Sequence, residues 1–217
     1  MNQTENMPFL VRAFVEGGPV MYVILFIGII TLLLVVDRFL ALKSLSIDKK
    51  EFTDNIFGMI VRGDLKQAIS YCDARQTPLT NTVKSGLVAA MNKRPDEEIQ
   101  VAMDATVLRE GPKLEGWTSM LAVTGNVAVL AGLLGTIIGM IGSFRAVAAA
   151  DPAEKAQRLS EGISHALNCT AAGLLVAIVS IVFYGYFQHR IQRAENEMVE
   201  SSMSLLNLVV ANRDKLN

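Results

Sequence analysis

Three stretches of this chain, Gly17 to Val36, Thr118 to Phe144 and Ile163 to Phe187, each run for roughly 20 to 25 residues almost free of charge. No other feature constrains the fold as strongly. A helix of about 20 apolar residues crosses the hydrocarbon core of a bilayer. Lipid offers no partner to backbone N–H and C=O groups, so such a run crosses as a helix that bonds internally. Charged residues make up 19% of the chain, below the roughly 25% of an average soluble domain, and nearly all lie outside the three runs. The formal net charge of -1 provides no basic field, so no nucleic-acid partner is expected. The sequence therefore predicts an all-α membrane protein with three transmembrane helices and long cytoplasmic helical extensions.

The first run does not read as a signal peptide. Glu5 and Glu16 precede it with Arg12 as the only basic residue, no small-residue cleavage site follows, and Asp37-Arg38 ends it. Residues 43–117 with Arg38 carry 12 of the 20 Lys and Arg residues, and the tail from Arg190 carries four more. The excess of positive charge on cytoplasmic loops then orients the chain. The expected order is a periplasmic N-terminus (1–16), transmembrane helix 1 (17–42), a cytoplasmic helical region (43–117), transmembrane helix 2 (118–144), a periplasmic connection (145–162), transmembrane helix 3 (163–187) and a cytoplasmic C-terminal helix (188–217). A multi-pass protein in contact with the lipid bilayer is expected.

Within 43–117, Asp64 is placed to cap a short helix through Leu65–Cys72, with Leu65, Ala68, Ile69 and Cys72 on one face. Pro95 followed by Asp96, Glu97 and Glu98 is a helix start, because acids complement the positive end of the helix dipole. Gly111-Pro112 predicts a kink, and Trp117 stands where an interfacial anchor belongs. Cys72 falls in the polar region and Cys169 in an apolar run, so no disulfide between them is expected.

Two stripes of small and polar residues repeat at helical spacing. The second run carries Gly125, Val129, Gly132, Thr136, Gly139 and Ser143, with Gly135 and Gly139 in GxxxG form. The third carries Gly162, Ala166, Thr170, Gly173, Ala177, Ser180 and Tyr184. Close helix packing and a lined ion pathway both account for such stripes, and they are compatible. Gly132, Gly135, Gly139, Gly173 and Ala177 suit packing or pore lining, while the hydroxyls of Thr136, Thr170, Ser143 and Ser180 suit water or a cation. His165, with Glu161 one turn earlier, is the ionisable residue of the third run and suits a proton relay. No phosphate loop, dinucleotide glycine pattern or His/Cys cluster of metal spacing occurs, so neither an enzyme nor a cofactor is expected.

Gly17-Gly18-Pro19-Val20-Met21-Tyr22 followed by Asp37-Arg38 resembles the opening of ExbB and TolQ proteins. Gly132-Leu133-Leu134-Gly135-Thr136 with Ile137-Ile138-Gly139-Met140 resembles their second-span signature, and Gly162-Ile163-Ser164-His165-Ala166-Leu167 with Thr170-Ala171-Ala172-Gly173-Leu174 their third. The chain is similar to the MotA/TolQ/ExbB proton channel family over nearly its whole length, in the three-span ExbB/TolQ-like branch. The resemblance implies a homo-oligomeric ring, usually a pentamer, with the second and third spans around a pore. It also implies an ExbD/TolR-like single-span partner dimer in that pore, a TonB/TolA-like protein beyond it, and Thr136 and Thr170 as pore threonines. The function implied is the stator of an ion-driven motor that converts proton or sodium motive force into mechanical work. A membrane scaffold and a secondary-transporter subunit are the alternatives. The chain departs from the family pattern at His165, where many relatives carry glutamate, and at Val129-Leu130, where relatives often have a proline.

Overall fold

The computed structural model describes residues 18–44 and 49–213. The expected periplasmic segment 1–16, Gly17 of the opening motif and the last residues, 214–217, lie outside the described residues. Among the described residues there are seven helices and no strand: α1 (Gly18–Ser44), α2 (Lys49–Val61), α3 (Leu65–Asp73), α4 (Pro78–Met91), α5 (Asp96–Glu115), α6 (Thr118–Ala149) and α7 (Lys155–Ala211). Three stretches are long and apolar enough to cross a membrane, one in α1, one in Asp96–Ala149 and one in α7. The all-α, three-span reading of the sequence holds.

The chain forms two compact units. The first comprises residues up to 37 with 117–186. Here α1 buries Met21, Ile24, Ile27, Thr31 and Val35, one every three or four residues, and leaves Tyr22, Leu25, Phe26, Leu32 and Leu33 open. A helix that is apolar on its open face as well as its packed face is built for lipid or a partner helix, since water would penalise it. The seam between α6 and α7 is made of small residues: Gly125, Ala128, Gly132 and Gly135 in α6, and Ala166, Cys169, Gly173 and Ala177 in α7. Gly18 faces His165, Gly28 faces Val176 and Thr31 meets Ser180, so α1 and α7 run parallel. Gly125 faces Ser180 while Gly139 faces Ala166, so α6 is antiparallel to α7.

The second unit comprises 38–116 and the residues from 187 onward. Its core gathers Phe52, Ile56 and Ile60 of α2, Ala68 and Cys72 of α3, and Leu87 of α4. Ile99 and Met103 of α5 and Leu205 and Val209 of α7 complete it. The Asp64 side chain accepts from the Gln67 N–H at 3.1 Å and caps α3, whose Leu65, Ala68 and Cys72 are buried as expected. Thr77 opens α4 with a capping box to Thr80 and proline at the first turn. The α5 helix starts after Pro95 with Asp96, Glu97 and Glu98 in its first turn, as the sequence predicts.

At three places the helices run past the points that the sequence marks. The α5 helix continues through Pro112 to Glu115, and the chain breaks at Gly116, with φ 44° and ψ -126°. Pro112 is exposed and lies in the last turn, so the carbonyl it leaves unpaired can be hydrated. The expected polar connection is mostly helical, with only residues 150–154 outside α6 and α7. Lys155 to Ala211 is one uninterrupted helix, without a break near residue 187.

Cys72 and Cys169 are both buried, and neither is in a disulfide. Burial pushes the Cys72 thiol up to about 12, with Asp73 adding to the effect and Lys84 partly offsetting it. The unfolded thiol ionises near 9.0 and the folded one near 12, so this contribution to stability is full below pH 9 and is lost as pH rises toward 12. We expect Cys72→Ala to flatten the alkaline limb of the stability–pH curve, measured by thermal melting from neutral pH upward.

Candidate ion pathway

Glycine in the first unit is explained by what stands opposite it. A Cβ on Gly132 would lie 3.1 Å from the Cys169 carbonyl and 3.2 Å from Thr170 Cα, and one on Gly173 would lie 2.5 Å from the Ala128 carbonyl. The backbones of α6 and α7 therefore touch at mid-span, as small residues allow in lipid. That contact lets the Thr170 hydroxyl reach across and donate to the Gly132 carbonyl at 3.2 Å. In an unbroken helix the same carbonyl takes the Thr136 N–H, four residues on. The Thr136 hydroxyl donates to the Leu133 carbonyl at 2.6 Å. The two hydroxyls thus sit on adjacent carbonyls, Thr170 on Gly132 and Thr136 on Leu133, and both residues are partly exposed at the edge of the packed seam. Each hydroxyl has used its hydrogen, so what it offers further is oxygen lone pairs. Such a pair can receive a proton donor or a cation.

The other candidate residues are placed differently. Ser143 is buried, donates to the Gly139 carbonyl at 2.7 Å and occupies the position a side chain on Gly162 would need. Ser180 is fully buried and shares a hydrogen bond of 3.3 Å with Thr31. Gly135 lies against Cys169, Gly139 against Ala166, and Ala177 beside Gly125. The His165 ring is half-buried with Nε2 over Gly18, and its Nδ1 is buried without a hydrogen bond among the described residues. A buried polar nitrogen left unpaired is costly, and it marks a place where water or an ion is needed.

Two residues outside the stripes also matter to the packing. Thr31 had a signal in the sequence, its isolation. It is the only side-chain hydroxyl between Tyr22 and Ser44, and a polar group in lipid must find a partner. Arg38, expected to end the first span and to add to the cytoplasmic positive charge, is also a structural element: its side chain is buried and its guanidinium covers Gly116.

These features define a multi-pass helical membrane protein with a polar contact at the centre of a small-residue seam. The MotA/TolQ/ExbB proton channel family matches residues 74–200, more than half of the 217, and the chain belongs to that family. It is 29% identical over 187 residues to a putative biopolymer transport protein ExbB homolog of Methanothermobacter thermautotrophicus, covering 84% of this chain and 64% of the relative. It is 37% identical over 94 residues to the Tol-Pal system protein TolQ of Pseudomonas aeruginosa, covering 43% and 40% of the two chains. It is 30% identical over 118 residues to the biopolymer transport protein ExbB of Pseudomonas putida, covering 54% and 36%. The chain thus matches between about a third and two thirds of the length of these relatives.

Proposed function

We propose that this chain is the ring subunit of an inner-membrane ion-driven motor, converting a proton or sodium gradient into movement of an ExbD/TolR-like single-span partner. The observation that carries this reading is the Thr170 hydroxyl on the Gly132 carbonyl beside the Thr136 hydroxyl on the Leu133 carbonyl, in a chain that belongs to a family of proton channels. Several copies, a pentamer by analogy with the family, enclose the pore. The N-terminus is periplasmic and the C-terminus cytoplasmic, an orientation supported by the distribution of Lys and Arg. A TonB/TolA-like protein receives the work.

The mechanism follows from the state of the hydroxyls. An ionised carboxylate on a partner helix is costly at low dielectric, so it binds a proton or a cation inside the membrane. A protonated carboxyl donates one hydrogen bond, and the oxygens of Thr136 and Thr170, with their hydrogens already committed, are suited to accept it. An ionised carboxylate finds no such donor there. The collar therefore favours the protonated partner, and alternate loading of two partner helices biases movement. His165 lies nearer the periplasmic end of α7, where its imidazole can pass protons inward. Ser143, Ser180 and the seam glycines serve by holding α6 and α7 in register.

Thr170→Val keeps the shape and removes the acceptor, while Thr170→Ser restores it. In proteoliposomes containing chain and partner, we expect Thr170→Val to lower proton flux about tenfold, the value of one hydrogen bond of roughly 1.4 kcal/mol, with Thr170→Ser near normal. Full flux through Thr170→Val, at an unchanged melting midpoint, would leave the scaffold reading in its place.

A further inference from the structure

The groove between α4 and α5 in the second unit plays no part in the motor reading, and a ligand bound there would be independent of it. It is an open groove of about 550 Å³, a volume within the range of about 300–1,000 Å³ typical of small-ligand sites. Its floor is small and apolar, with Val88, Ala89 and Ala102. Four cations line it, Lys84, Arg94, Arg109 and Lys113, against one carboxylate, Glu110. Glu110 is buried and already neutralised by Lys113 Nζ at 2.8 Å and Arg109 Nε at 3.7 Å. Lys84 pairs with Asp73 and Arg94 with Glu98, but neither acid lines the groove. Both pairs are open to solvent, where an ion pair is worth little and is readily exchanged for a better anion. Asn81 and Asn92 add amides that make no side-chain hydrogen bond among the described residues.

The surplus is of donors and positive charge. A single carboxylate offers no more than Asp73 or Glu98 already does, whereas a phosphate offers several charged oxygens that can replace both. Guanidinium forks and lysine ammoniums are the groups that recognise it. We propose that this groove binds a phosphate-bearing small ligand, the phosphate belonging either to a lipid headgroup or to a soluble organic phosphate.

The test is lysine footprinting on the full chain in nanodiscs of zwitterionic lipid. Acylation rates of Lys84 and Lys113 are read by mass spectrometry, with Lys66 and Lys155, which do not line the groove, as internal references. The probes are glycerol phosphate in solution and, separately, phosphatidylglycerol in the disc. Acylation of Lys84 and Lys113 is expected to slow about fivefold when the probe stands at about four times its Kd, with the references unchanged. Protection by phosphatidylglycerol alone identifies the ligand as a headgroup, and protection by glycerol phosphate in the zwitterionic disc identifies it as a soluble phosphate. Protection by neither overturns the proposal. The double variant Arg94→Gln/Arg109→Gln leaves Lys113 on Glu110 and alters side chains that are 54% and 67% exposed. At an unchanged melting midpoint it should lose the protection, and protection that persists would place the anion elsewhere.

Discussion

Gly173→Ala is expected to separate α6 from α7 and lower the stability of the detergent-solubilised chain by about 1–3 kcal/mol, the usual cost of overpacking. The added Cβ would stand 2.5 Å from the Ala128 carbonyl and would push on backbone, which cannot turn aside as a long side chain can. The same displacement carries Thr170 away from the Gly132 carbonyl, so proton flux should fall with stability. Gly142 is the control, because a Cβ there meets nothing within 4 Å. Gly142→Ala should leave the melting midpoint unchanged or slightly raised, as alanine favours helix. Equal midpoints for the two variants would contradict the seam.

Gly116→Ala should be nearly as damaging, for a different reason. At φ 44° the chain occupies a region that side chains disfavour, at a cost of about 1–3 kcal/mol. The new Cβ would also fall on the Arg38 guanidinium, whose side chain is buried. Gly111 provides the comparison. It lies in ordinary helix, and its nearest neighbour is the tip of Glu195 at 3.0 Å, a carboxylate on a side chain that can swing away. Gly111→Ala should therefore shift thermal melting by a degree or two at most, while Gly116→Ala should lower it several-fold more. If both variants melted alike, the break at Gly116 would carry no strain.

Much of this fold is legible in the sequence because lipid makes unusually strict demands. Twenty uncharged residues have one stable form in a bilayer, so α1, α6 and α7 follow from composition and length. The Asp64 cap and the Pro95-Asp96-Glu97-Glu98 start are local devices, and they appear where the residues predict them. The break after α5 is harder to locate. Gly111-Pro112 predicts a kink, yet a proline exposed in a last turn is tolerable, and the joint falls at Gly116, whose φ of 44° suits glycine and whose missing Cβ leaves room for Arg38, distant in sequence. The small-residue stripes are readable as stripes. Which of their hydroxyls are used up in packing depends on register between helices: Ser180 meets Thr31 and Ser143 fills the space beside Gly162, while Thr136 and Thr170 stay at the edge. The α4–α5 groove leaves no mark on the sequence, because its lining cations are scattered along the chain and are brought together only by packing.

Native mass spectrometry of the chain purified together with a co-expressed ExbD/TolR-like single-span protein tests the ring itself. A closed ring, a pentamer by analogy with the family, that retains two copies of the partner across mild detergents is the expected result. A monomer or dimer that retains no partner under the same conditions would contradict it.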